Sequence, residues 1–169
     1  IANCSQTTEG FLFLDKVGTP LQHRLSRTQI ETLIKFLRFM HEECKVIHRD
    51  LRPENILMHS TDEVLVIDFG FAVDAKENIS VAPSGTFRYA NDDVLGAMEG
   101  NTNITPVAAH DLESVMKTQL ALAHPTLMSN LININMNDDK FAAVREIWGS
   151  FFAQYPIYAP ILARVRQGE

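Results

Sequence analysis

The feature that most constrains this chain is an eight-residue polar stretch, His48-Arg49-Asp50-Leu51-Arg52-Pro53-Glu54-Asn55, set between short apolar runs. Val46-Ile47 precedes it, and Ile56-Leu57-Met58 follows at once. A second aliphatic run, Val64 to Ile67, ends in Asp68-Phe69-Gly70. His59-Ser60-Thr61-Asp62 separates the two runs, a pattern that predicts a small hairpin from about 55–58 and 64–67. Gly70 allows the chain to turn away sharply after Asp68. Asp50 thus lies in a loop, Asn55 at the start of one strand and Asp68 at the end of the next.

Most of the remaining chain reads as helix. Ile30, Leu33, Ile34, Leu37 and Met40 recur at helical spacing from Ser26 to about His41. Ser26 with Gln29, and Thr28 with Glu31, are two candidate capping boxes for it. Leu112, Val115, Met116 and Leu120 predict a helix from Asp111 to about Ala123, ended by Pro125. A third runs from Asp138 to about Tyr155, with Phe141, Val144, Ile147, Trp148, Phe151, Phe152 and Tyr155 on one face, and a short last one spans 159–166. That aromatic face reads as core, and the Asp138-Asp139 pair as helix N-terminal charge. Gly10 to Val17 reads as a buried strand closed by a turn at Gly18-Thr19-Pro20, and 75–83 and 100–106 as loops. The fold class expected is mainly α with a small β element.

Composition excludes several classes. With 46% hydrophobic and 21% charged residues the chain is an ordinary globular sequence. Its net charge of −6 gives no electrostatic reason to expect nucleic acid. No apolar run approaches the roughly 20 residues that span a bilayer. Cys4 and Cys44 lack metal-like spacing, and a reducing intracellular setting, cytoplasm or nucleus, is the simpler reading. His23, His59 and His124 also lack ligand spacing and read as surface residues.

Phosphoryl transfer needs little covalent help: a carboxylate to orient the attacking hydroxyl, metal ions to neutralise phosphate charge, and oxygen ligands for those ions. Asp50, Asn55 and Asp68 supply one group for each role and are expected to converge on one site. The eight-residue loop resembles the catalytic loop of eukaryotic protein kinases, and Val66-Ile67-Asp68-Phe69-Gly70, 13 residues on, resembles their metal-binding turn. The resemblance implies a protein-kinase-like C-terminal lobe that uses ATP and Mg2+ and takes a protein substrate. It implies Asp50 as catalytic base or hydroxyl-orienting group, and Asn55 and Asp68 as magnesium ligands. Arg52 stands where serine/threonine kinases usually carry Lys and would contact the γ-phosphate with a planar fork instead of a point charge. Leu57 would floor the adenine ring, and Val17, in a hinge-like segment, would meet the adenine edge through its backbone. His48 and Phe69 would pack in the core that aligns loop and turn, and Arg49 would pair with a phosphate or acidic group on the following loop.

Ser84-Gly85-Thr86-Phe87-Arg88-Tyr89-Ala90 resembles the end of an activation segment, where Thr86 would bond Asp50. Asn91-Asp92-Asp93 replaces the usual Ala-Pro-Glu, with Asp93 as a candidate for the glutamate. His110-Asp111-Leu112-Glu113-Ser114 resembles the start of the central helix, with Asp111 bonded to the catalytic-loop backbone. These variants are similar to casein-kinase-I-like and to divergent fungal or crinkler-type kinases. The resemblance covers about residues 10–120 of one domain spanning 1–169, and about 121–169 is a helical part with no motif. No Gly-rich phosphate loop and no strand lysine occur in the sequence, and the resemblance implies that a missing N-terminal lobe, or a partner chain, would supply them. The leading reading is a serine/threonine protein kinase lobe, and the rival is a non-catalytic kinase-like scaffold. Transfer to a small-molecule hydroxyl ranks third, because Ser84-Gly85-Thr86 resembles a protein-substrate platform.

Overall fold

The computed structural model describes residues 4–6, 12–14, 17–60, 63–77, 79–136 and 139–168. Strands β1 (Cys4–Gln6) and β2 (Leu12–Leu14) pair antiparallel. β3 (Thr19–Pro20) follows, then α1 (Arg27–Arg38), which runs on into a π-turn at Phe39–Glu43. β4 (Val46–Ile47), β5 (Ile56–Met58), β6 (Val64–Val66) and β7 (Val73–Asp74) make the central β element. Five helices complete the order: α2 (Asp92–Gly100), α3 (Ala108–Ala123), α4 (Pro125–Ile132), α5 (Lys140–Gln154) and α6 (Ala159–Arg166). The chain is mainly helical with small antiparallel strands, as its patterning predicts.

The predicted hairpin forms, with Ile56 opposite Val66, Leu57 opposite Leu65 and Met58 opposite Val64. β3 adds to the free edge of β5, and β4 pairs with β7, so the polar loop 48–55 is held at both ends by strands. Of the two candidate caps for α1, Ser26 is used: its Oγ accepts the Gln29 N–H while the Gln29 side chain accepts the Ser26 N–H. Ile30 and Ile34 pack around buried Leu33 and Leu37, against Leu51, Ile56 and Val115. A second core gathers Tyr89, Leu95, Leu120, Leu127, Leu131, Val144, Trp148 and Phe151. α3 lies between the two cores and contributes Val115 to one and Leu120 and Ala121 to the other.

Several elements depart from expectation. α3 begins at Ala108, before Asp111, because Ala108 and Ala109 carry no amphipathic signal yet propagate helix well. Pro125 ends α3 and also opens α4 at its first turn, where a missing N–H costs nothing. α2 is a helix that the reading of 91–93 as a motif replacement passes over. Asn91 caps it by accepting the Val94 N–H at 3.0 Å, and Asp92 and Asp93 sit in its first turn. His124 is half-buried, in ring contact with Phe151, Tyr155 and Tyr158, because it joins two helices that pack on α5. Val17, expected at the end of a buried strand, is 76% exposed. Residues 10, 11, 15 and 16 of that expected strand, Thr61 and Asp62 of the hairpin turn, and Asp138 lie outside the described residues.

Candidate active site

His48, wholly buried, aligns the loop with the turn that carries Asp68. Its Nε2 lies 2.9 Å from the Ile67 carbonyl, and its ring meets Phe69 edge-on with centroids 4.8 Å apart. The Ile67 N–H donates to the Asn55 carbonyl at 3.0 Å, a second tie between loop and turn. Phe69 thus packs on His48, which is wholly buried, while 44% of its own surface remains exposed.

Asp111, on the first turns of α3, holds the loop from below. Its Oδ2 accepts the His48 N–H and its Oδ1 the Arg49 N–H, each at 2.8 Å. His41 Nε2 adds a contact to Oδ2 at 2.9 Å. A carboxylate 1% exposed is costly without partners, and here it has three. Arg49 has φ 76°, a conformation rare for a side chain with a Cβ, held by this pair of bonds. Its guanidinium bonds the carbonyls of Phe71 and Ala82. Both are main-chain oxygens of the segment that follows the turn, the segment on which its phosphate or acidic partner is expected. Burial pushes the Arg49 pKa down, against the opposing pull of Asp111.

Asp50 is the centre of the site. Its Oδ1 accepts the Thr86 N–H at 2.7 Å, and its Oδ2 accepts Asn55 Nδ2 at 3.0 Å. The same Asn55 nitrogen bonds the Asp50 carbonyl at 2.9 Å, so the amide oxygen of Asn55 is the end turned away from Asp50. Thr86 therefore meets Asp50, as expected, and does so through its backbone. Arg52 Nε lies 3.3 Å from Asp50 Oδ2, but as a buried N–H without an aligned acceptor. Arg52 Nη1 reaches Glu54 at 3.7 Å, the ion-pair role expected of that glutamate.

The structure brings Asp50, Arg52, Asn55 and Thr86 into direct contact. Asp68 is linked to the loop only along the chain, as the residue after Ile67, whose N–H donates to the Asn55 carbonyl. It adopts a left-handed conformation (φ 61°), its Oδ1 faces the Gly70 N–H at 3.4 Å, and its side chain is exposed. Among the described residues no three His, Cys, Asp or Glu side chains cluster as a metal cage. The Asn55 amide oxygen and the Asp68 carboxylate are each oxygen donors of the hard type that Mg2+ takes. Leu57 is buried in the middle of β5, under the close approach of the 17–20 segment: a Cβ added to Gly18 would lie 2.6 Å from the Met58 carbonyl and 3.0 Å from Leu57 Cβ. Val17 stands apart from the Asp50 cluster, its carbonyl bonded to His59 Nδ1.

The sequence reading passes over His41, the third partner of Asp111. It also passes over the side chains that hold segment 84–91, among them Trp148, whose Nε1 donates to the Arg88 carbonyl at 2.9 Å. Only the helical spacing of His41 and the aromatic stripe of α5 hinted at either.

Comparison with known proteins agrees with this geometry. The model of the protein kinase domain family matches residues 3–140. A probable cAMP-dependent protein kinase catalytic subunit of Encephalitozoon cuniculi is 40% identical over 87 residues, 52% of this chain and 26% of that protein. The human serine/threonine-protein kinase Nek10 is 42% identical over 60 residues, 35% of this chain and 5% of that protein. An Aurora kinase of Encephalitozoon cuniculi is 35% identical over 81 residues, 48% of this chain and 29% of that protein. The matched stretch thus spans less than a third of each of these relatives. Since the family model covers well over half its length, the chain belongs to the protein kinase domain family.

Proposed function

We propose that this chain is the catalytic lobe of a serine/threonine protein kinase, transferring the γ-phosphoryl group of ATP to a protein hydroxyl. The observation that carries the reading is the double anchorage of Asp50, one oxygen on Thr86 N–H and the other on Asn55 Nδ2. A carboxylate fixed in this way presents its remaining lone pairs in set directions, which is what orienting a substrate hydroxyl requires. Asp50 would accept the hydroxyl proton as the hydroxyl attacks.

Asn55 Oδ1 and Asp68 would hold Mg2+, which on binding supplies the charge neutralisation that phosphoryl transfer needs. The buried, unaccepted N–H of Arg52 is suited to an oxyanion, and a phosphate oxygen is the acceptor that the reading assigns to it. Leu57 would floor the adenine, and the backbone of Val17 would meet its edge. The name of one relative, the serine/threonine-protein kinase Nek10, supports serine/threonine acceptors.

The test is incorporation of labelled phosphate from ATP into dephosphorylated casein by the full-length protein, with and without magnesium. Magnesium-dependent incorporation is expected, with Asp50→Asn slower by at least about 100-fold. Magnesium-ATP binding without transfer, or transfer untouched by Asp50→Asn, would replace this reading with a non-catalytic scaffold.

A further inference from the structure

Helices α1, α3 and α6 enclose a cavity of about 390 Å3 that is lined by none of Asp50, Arg52, Asn55, Thr86 or Asp68. Its walls are aliphatic: Ile30 and Ile34 from α1, Leu112 and Met116 from α3, Ile161 and Val165 from α6. Ile161 is 50% exposed and the other five are half-buried, so the cavity opens to solvent. Arg38 and Glu42, both exposed, stand at its rim with opposite charges.

One polar group of the lining is unmatched. Gln119 Oε1 accepts the Leu25 N–H at 2.7 Å, which fixes the sense of the amide. The other end, Nε2, is buried and has no acceptor among the described residues. A buried donor left this way is costly. Water is a poor match, since a well-held water needs several polar partners and the walls here are aliphatic. His41 also lines the cavity, but its Nε2 is taken up by Asp111 Oδ2 at 2.9 Å. Apolar walls of this size with a single placed donor are what a small-molecule site requires. The opposed charges of Arg38 and Glu42 give no preference for an ionic ligand.

We propose that this cavity binds an uncharged apolar molecule with a carbonyl oxygen, a ketone, ester or amide. Its body lies against the aliphatic walls, and its oxygen accepts from Gln119 Nε2. The site stands whether or not the chain transfers phosphate. A ligand there also lies beside His41, so the imidazole ring reports occupancy.

The test uses benzophenone and diphenylmethane, which are alike in shape except for the carbonyl. Each is titrated into the full-length protein and followed by nuclear magnetic resonance. Both should move the Met116 methyl and His41 ring signals in a saturable manner. Benzophenone should also move a Gln119 side-chain amide proton downfield, as an N–H that gains an acceptor does, and diphenylmethane should not. In Gln119→Leu, whose fold is checked first by circular dichroism, the affinity for benzophenone relative to diphenylmethane should fall about tenfold, on the scale of one hydrogen bond to a buried donor. If that variant unfolds for want of the Leu25 acceptor, the amide shift in the unsubstituted protein decides.

Unmoved Met116 and His41 signals up to the solubility limit of benzophenone overturn the site. Saturable binding of both probes with a still Gln119 amide, or with an unchanged affinity ratio in Gln119→Leu, overturns the carbonyl assignment. A Met116 signal that shifts with protein concentration when no probe is present makes a second copy of the chain the occupant, and overturns the proposal.

Discussion

A Cβ placed on Gly85 would lie 2.1 Å from the carbonyl oxygen of Arg49. Gly85 also has φ +103°, outside the range that L side chains favour. The backbone of segment 84–90 therefore touches the loop 48–55 at a point where only hydrogen fits, one residue before the Thr86 N–H reaches Asp50. Gly85→Ala should add strain of roughly 1–3 kcal/mol and push Thr86 off Asp50. If the proposed kinase activity holds, kcat on casein should fall at least about 100-fold, on the scale of losing one preorganised donor at a reacting centre. Wild-type kcat in this variant would show that the Thr86 contact is dispensable.

Asp111 holds three donors with one buried carboxylate, and the Arg49 backbone conformation depends on it. Asp111→Ala leaves two loop N–H groups and His41 without their acceptor. A loss of roughly 3–5 kcal/mol is expected, comparable to removing one partner of a buried ionic cluster. Guanidinium unfolding followed by Trp148 fluorescence measures it, and a loss under about 1 kcal/mol would mean that water replaces the carboxylate at little cost.

Tyr89 ties stability to alkaline pH. Its phenol is pushed up to about 12, chiefly by burial, with Glu54 adding to the rise and Arg88 and Arg52 opposing it. A raised folded-state value favours the neutral phenol, so its contribution is fully present below the unfolded value near 10 and drains away as pH climbs to about 12. Over that window the unsubstituted protein should lose roughly 2 kcal/mol relative to Tyr89→Phe. The Phe variant forfeits only the hydroxyl contact to Met128 Sδ at 3.6 Å. Parallel stability curves for the two proteins would contradict the burial of this phenol.

Asp68 is exposed and makes a single weak local contact, so its carboxylate matters little to folding. Asp68→Asn should melt within about 1 kcal/mol of the unsubstituted protein. If the proposed metal role holds, the magnesium concentration that half-saturates casein phosphorylation should rise at least about tenfold. A magnesium titration on both proteins decides it, and coincident curves would remove Asp68 from the metal site.

Local chemistry was readable in the linear chain wherever neighbours in sequence remain neighbours in space. The loop 48–55 and the turn 68–70 were legible because residue type and spacing fix them, and the Ser26 cap and the Ile56–Val66 hairpin follow from short-range rules. Asn91 and Pro125 were legible in principle, as a cap and a first-turn proline, but their motif-like or helix-ending look hid two helices. What only the tertiary structure decided is how distant groups share one another. Arg49 takes carbonyls of Phe71 and Ala82, Asp92 takes Arg166, and Lys117 and Glu113, spaced like any surface pair on a helix, are buried. Hydrogen bonds between residues tens of positions apart depend on which helix faces pack together, and no local pattern of charge or apolarity specifies that choice.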